Sequence, residues 1–187
     1  MSKPTVPLQI KWGTPELIRP TVLTDGAFSV TNGADVPGET AFPLTILFND
    51  ARVELTAPPP DIAQEEKCGA LYATWTGTLC VPVVVTPEKP DGVWFRSDLR
   101  FFLAKDEATR ALLVVDLAGE QLVREYPYGQ KLEPTDITES VVHKARTAPA
   151  GSYNVSLLLI AERQDTAAGV TLKVDSLDAE INPNFRA

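Results

Sequence analysis

Alternation with a period of two is the feature that most constrains what this chain can fold into. Phe42, Leu44, Ile46 and Phe48 alternate with Pro43, Thr45 and Leu47, which puts one well-buried face on a strand. Asn49-Asp50 follows, then Val53 and Leu55, and the spacing predicts a hairpin with a short polar turn. In Tyr72-Ala73-Thr74-Trp75-Thr76-Gly77-Thr78 the hydroxyl-bearing residues take the even positions. The odd positions continue through Leu79, Val81, Val83 and Val85, the pattern of a half-exposed strand.

From Val93 the chain reads as a meander over Val93–Phe95, Leu99–Leu103, Ala111–Leu117 and Gln121–Tyr126. Helix propensity in Glu107–Leu112 offers a helical alternative for Asp106–Val115. The short Leu112–Val115 run and the breaker Gly119 favour a strand there. Tyr153, Val155, Leu157 and Leu159 restore the alternation, and the later half of that segment is apolar on both faces, as in a central strand. Val170, Leu172 and Val174 define one face, but beyond Asp175 the apolar set moves to Leu177, Ala179 and Ile181. A strand cannot change its core face without an extra residue, so a bulge is expected near Asp175-Ser176.

Two segments read as short helices. Asp61–Lys67 follows the strand-stopping Pro58-Pro59-Pro60, with Asp61 as its cap. Asp136 and Glu139 resemble a capping box, with Ile137, Val141, Val142 and Ala145 on one face and Lys144 and Arg146 at the C-terminal end. A strand over Ser140–Lys144 is the alternative. Asp25-Gly26, Asn32-Gly33 and Asp91-Gly92 suit tight turns between β-type residues. Roughly ten strands without βαβ alternation predict an all-β fold. The expected architecture is one jelly-roll-like antiparallel β-sandwich over 1–187, with one or two short helices and extended arms at 1–7 and 182–187.

Composition narrows the function. At 187 residues, with 44% hydrophobic and 22% charged residues, the chain can bury a core without disulfides or metals. Its 16 prolines suit the many turns of a β protein. A formal charge of −8, with His143-Lys144-Ala145-Arg146 as the densest basic stretch, argues against nucleic acid as a partner. No apolar run approaches membrane-spanning length, and Met1–Pro7 lacks the pattern of a signal peptide. Synthesis in the cytoplasm without membrane insertion is expected. Cys68 and Cys80 lie roughly 40 Å apart along an extended strand, against the ~7 Å between Cα atoms that a disulfide allows. Unless a turn intervenes at Gly77, two buried thiols are expected.

Catalytic signatures are missing. His143 is the sole histidine and no Gly-x-Ser-x-Gly elbow accompanies it, so nucleophilic triads and multi-histidine metal sites have no basis. Phosphate-cradling glycine motifs are absent. Asp175, Asp178 and Glu180 cluster on the last strand, and Asp61, Glu65 and Glu66 form the other dense acidic group. Such acids can be solvated, protect a strand edge, bind calcium or form a carboxylate pair; a solvated or edge-protecting role is the expectation. No enzyme activity, cofactor or metal is expected. Trp75 belongs to the apolar side of its strand, whereas Trp12 and Trp94 flank glycines near turns and are the better surface candidates for stacking on sugars.

Thr147-Ala148-Pro149-Ala150-Gly151-Ser152-Tyr153-Asn154-Val155-Ser156-Leu157 resembles the lead-in to a late strand of immunoglobulin-like and pilin-like sandwiches, where a turn glycine precedes a buried tyrosine. In outline the whole chain is similar to single jelly-roll capsid or decoration proteins of viruses and phages. That resemblance implies a structural protein assembling with itself or with other coat proteins in a virion. Trp12, Phe185 and Arg186 are the candidate interface residues. The alternative is an immunoglobulin-like sandwich that binds carbohydrate or peptide.

Overall fold

A computed structural model describes residues 9–14, 16–20, 28–32, 42–57, 70–86, 93–145 and 151–181. Its strands are β1 (Gln9–Trp12), β2 (Glu16–Pro20), β3 (Phe28–Asn32), β4 (Phe42–Phe48), β5 (Arg52–Leu55) and β6 (Tyr72–Thr86). The second half adds β7 (Val93–Lys105), β8 (Thr109–Leu117), β9 (Glu120–Tyr126), β10 (Leu132–Ala145), β11 (Gly151–Arg163) and β12 (Val170–Ile181). Sheet I has the order β1-β6-β11-β8-β9, with β2 also on β6; sheet II has the order β10-β7-β12-β4-β3, with β5 also on β12. The described strands pair antiparallel throughout. This is the expected all-β, jelly-roll-like sandwich.

The alternating residues meet where their inner faces meet. Leu79, Val81, Val83, Leu113, Val115, Leu157 and Leu159 of sheet I are buried opposite Leu44, Ile46, Phe95, Leu99, Phe101, Leu172 and Leu177 of sheet II. Removal of this apolar surface from water is the main term holding the layers together. A buried pair of hydroxyls bridges the layers. Ser97 Oγ and Tyr153 Oη share a 2.6 Å hydrogen bond, and the Tyr153 ring stacks on Phe95 at 5.3 Å. The tyrosine after Gly151 is therefore buried, as its lead-in suggested.

The bulge is where the sequence placed it. Register shifts between Val174 and Ser176, and Ser176 and Leu177 are both buried as the strand changes face. Asp175 is the extra residue, and β12 exchanges β5 for β4 as its partner at that point.

Three local readings need correction. Asn49-Asp50 does not reverse the chain: β4 and β5 both run antiparallel to β12, so they form one interrupted lane. Buried residues pass from even numbers (Leu44, Ile46, Phe48) to odd (Ala51, Val53, Leu55), and Ala51 accepts the Val174 N–H at 2.9 Å. The break faces the Asp175 bulge, so the two strands bend together. Secondly, 93–105 is one strand in sheet II, while β8 and β9 lie in sheet I, so the meander crosses between layers. Among the described residues of this stretch, β8 and β9 make the tight hairpin, through Ala118 and Gly119, whose φ of 52° and 95° suit a type I′ turn.

Thirdly, the helix expected from Asp136 is strand β10, paired to β7 from Leu132 to Ala145. Ile137 and Val141 are four residues apart, and that spacing shares a face in a strand as well as in a helix. Among the described residues there is no helix. The Asp61–Lys67 helix, the Asp25-Gly26 and Asp91-Gly92 turns, Cys68 and both arms lie outside the described residues. Gly77 makes no turn, because β6 runs straight through it and the Trp75 ring covers the space where a side chain would stand. Cys80 is a half-buried free thiol.

One lateral seam, between the edge strands β9 and β10, is closed by charge. Arg124 donates to both Glu139 oxygens, Nε at 2.6 Å and Nη2 at 2.8 Å. The guanidinium holds the Glu139 carboxyl below the usual glutamate range. A depressed carboxylate contributes stability above its unfolded pKa and loses it as pH falls through the folded pKa. Wild type should therefore lose about 1 kcal/mol more than Glu139→Gln between pH 6 and the acid limit, the pair being partly solvent-screened. Urea midpoints from pH 6 to 3 check this; parallel curves would refute it.

Candidate interaction surfaces

The strands present two outward faces of opposite character. On sheet I the even residues of β8 and β11 point away from the core. Register sets them in level rows: Arg110 with Glu162, Leu112 with Ile160, Val114 with Leu158 and Asp116 with Ser156. Val123 of β9 extends the Val114 row, and Thr74, Thr76 and Thr78 of β6 border it on the other side. Leu112, Val114, Leu158 and Ile160 are half-buried by their neighbours, while Val123 is 47% exposed. Among the described residues, no strand packs over this stripe.

Polar groups bound the stripe at both ends. Arg110 donates from Nε to Glu125 at 2.8 Å and from Nη1 to Glu162 at 3.1 Å, and these bonds raise its already high pKa. Tyr128 Oη donates to Glu162 at 3.3 Å. At the other end, the Thr78 and Ser156 hydroxyls share a 3.1 Å bond, and Asp116 accepts the Gly119 N–H at 3.0 Å.

Sheet II instead carries charge outward. Trp94, Arg96, Asp98, Arg100 and Phe102 alternate with the core residues of β7. Asp98 lies level with Asp178 of β12, so two like charges sit on adjacent strands. Each has compensation. Asp98 accepts from Ser140 Oγ at 2.6 Å and pairs with Arg96 at 3.2 Å; Asp178 accepts from Thr45 Oγ1 at 2.7 Å and pairs with Arg100 at 3.3 Å. Thr45, Arg96, Asp98, Asp178 and Glu180 line a depression of about 230 Å³.

The candidate residues fall as follows. Trp12 is half-buried, its ring edge-on to Tyr153 at 5.9 Å, so it packs against the core. Phe185 and Arg186 lie outside the described residues. Asp175, Asp178 and Glu180 do not guard an edge, because β12 is internal to sheet II; Asp175 pairs with Lys173 in the bulge. His143 occupies strand β10, beside Phe95 in register. Among the described residues, no three His, Cys, Asp or Glu side chains form a metal-sized group. The sequence reading missed Arg96, Asp98 and Arg100; their alternation with Phe95, Ser97 and Leu99 was the available signal.

No protein-family model matches the chain, and no curated protein matches it. Among solved structures it is similar to the carbohydrate-binding module TmCBM61, solved with β-1,4-galactotriose. That match has 13% identity over 87% of this chain and 90% of that one, with a TM-score of 0.31. It is similar also to a structure of infectious bursal disease virus, Gx strain, at 11% identity over 95% and 55%, TM-score 0.29. A third is the enzymatically active domain of bacteriophage CBA120 tailspike protein 4, at 12% identity over 91% and 19%, TM-score 0.26. These likenesses assign no function. Among the described residues, no helix is long and apolar enough to cross a membrane.

Proposed function

We propose that this chain is a non-catalytic assembly protein that joins a larger particle through protein–protein contacts, with a capsid or virion coat as the concrete form. The observation supporting this reading is the aliphatic stripe of Leu112, Val114, Val123, Leu158 and Ile160 on the outside of sheet I. Contiguous apolar patches on a sandwich surface mark places where another surface docks. The chain has a net charge of −8, so its predominantly acidic surface repels like neighbours. The five aliphatic side chains carry no charge and gain from burial.

Native mass by sedimentation over a wide concentration and salt range is the test. Wild type should form species heavier than one chain. Val114→Asp should remain folded by circular dichroism but weaken association about a hundredfold, since it places a carboxylate in a desolvated contact. A strict monomer, or an assembly indifferent to Val114→Asp, would overturn the reading.

The sheet II depression favours a second reading, a carbohydrate- or peptide-binding module. Its paired guanidinium, carboxylate and hydroxyl groups offer donors and acceptors, and Trp94 precedes Arg96 by two residues on β7. A glycan titration followed by tryptophan emission tests it, and a flat response across the panel counts against sugar as the ligand.

A further inference from the structure

We infer that the occupant of the sheet I stripe is a second copy of this chain, docked face to face about a two-fold axis that runs along and between β8 and β11. The inference rests on the assembly reading and specifies its partner. A two-fold axis lying in the contact plane and parallel to the strands keeps every row level and exchanges β8 of one copy with β11 of the other. The strand register then dictates what meets what. Leu112 faces Ile160 of the second copy, and Val114 faces Leu158, each twice because the contact is isologous. Val123 lies over the methyl-bearing Thr76 of the other β6.

The polar rows complete the match. Arg110 and Glu162, bonded at 3.1 Å within one chain, meet Glu162 and Arg110 of the other. Four alternating charges then close a ring, each cation bordered by carboxylates on both sides. At the opposite end, Asp116 lies over Ser156, whose hydroxyl can donate to it. A two-fold axis set across the strands would instead put Arg110 over Asp116 and Glu162 over Ser156 of the other copy, so a charge reversal at Glu162 distinguishes the two arrangements. Aligned packing of twisted sheets, with strand directions within about 30°, is the common geometry for two such faces.

Charge substitution within the ring tests this geometry, with dissociation constants measured by sedimentation. Wild type should be a closed dimer that weakens as salt rises. Glu162→Lys sets lysine over Arg110 of the other copy and should weaken the dimer at least about tenfold, with salt now strengthening it. Arg110→Glu combined with Glu162→Lys rebuilds the pair within and between chains and should return affinity to within about threefold of wild type. Circular dichroism and thermal midpoints separate lost association from lost folding. If the double variant does not fold, Glu162→Gln decides: it should flatten the salt dependence of dimerisation. A Glu162→Lys dimer as tight as wild type, or a folded double variant that stays weak, would overturn the two-fold arrangement. Association that still depends on Val114 would then leave the assembly reading standing, whereas a strict monomer would end both.

Discussion

Arg163→Ala should lower the stability of the sandwich by about 4 kcal/mol, the largest effect expected of any single polar substitution here. Arg163 ends β11 and is 5% exposed. Its Nε donates to the Ala70 carbonyl at 2.7 Å, and its Nη1 donates to Thr56, Thr166 and Ala168 carbonyls at 3.0, 2.9 and 3.1 Å. These acceptors belong to the ends of the segments after β5 and before β6, and to the β11–β12 turn. Backbone groups beyond the sheets have no ladder to satisfy them, so one planar cation takes over that role. Truncation leaves four acceptors without this partner, one of them at a buried contact and three at part-buried ones, and a buried unsatisfied acceptor costs roughly 1–3 kcal/mol before relaxation. The melting temperature should fall by about 8–16 °C for a chain of this size. Arg163→Lys should recover less than half, because a single ammonium cannot span the fork of contacts. Equal melting temperatures for Arg163→Lys and wild type would show that the charge, not its planar geometry, matters.

Tyr153→Ala should cost about 3–5 kcal/mol, since the ring is 0% exposed and its removal leaves a cavity between the layers. The finer experiment separates ring from hydroxyl. Tyr153→Phe keeps the stacking on Phe95 but strands the buried Ser97 hydroxyl, at a cost of about 1–2 kcal/mol. Adding Ser97→Ala to Tyr153→Phe should cost little more, giving a coupling near 1 kcal/mol in a double-mutant cycle. Additive losses would deny the hydrogen bond any energetic role. Burial pushes the Tyr153 hydroxyl above the ordinary phenol range, with the Ser97 bond acting in the opposite sense. The contact therefore persists through mildly alkaline conditions.

Much of the strand framework was legible because one face of each sheet is dry. Leu44 to Phe48, Leu79 to Val85 and Val170 to Ile181 alternate in the sequence as they do in the structure, and the phase change at Asp175 revealed the bulge. A comparable phase change between Phe48 and Ala51 predicts a hairpin from sequence alone, because Asn49-Asp50 is also good turn chemistry. Strand partners decide between bend and reversal, and those lie more than a hundred residues away. Trp12 shows a similar limit: a neighbouring glycine says nothing about the Tyr153 ring beside which it packs.

The two outer faces were harder to read than the core. Leu112–Val115 and Leu157–Ile160 are apolar on both sides, which marks a central strand but does not distinguish a face covered by its own chain from one awaiting a partner. The charged array of sheet II depends on pairing between β4, β7, β10 and β12, which the periodicity of one strand cannot show. Glu139 illustrates this: local spacing cast it as a capping-box member, but its partner Arg124 stands on the edge of the other sheet.

The position of β12 bears on when this fold can form. The strand is the last of the described strands in chain order, yet it separates β7 from β4 and β5 in the middle of sheet II. Synthesis proceeds at roughly 5–20 residues per second, so β4 and β7 must wait for many seconds before the strand between them emerges. During that interval their apolar inner faces and unpaired backbone are open to wrong partners. Closure then requires contacts between distant parts of the chain, a topology that folds slowly even when the product is stable. Successful production of this sandwich thus depends on protecting its early strands until the final one arrives.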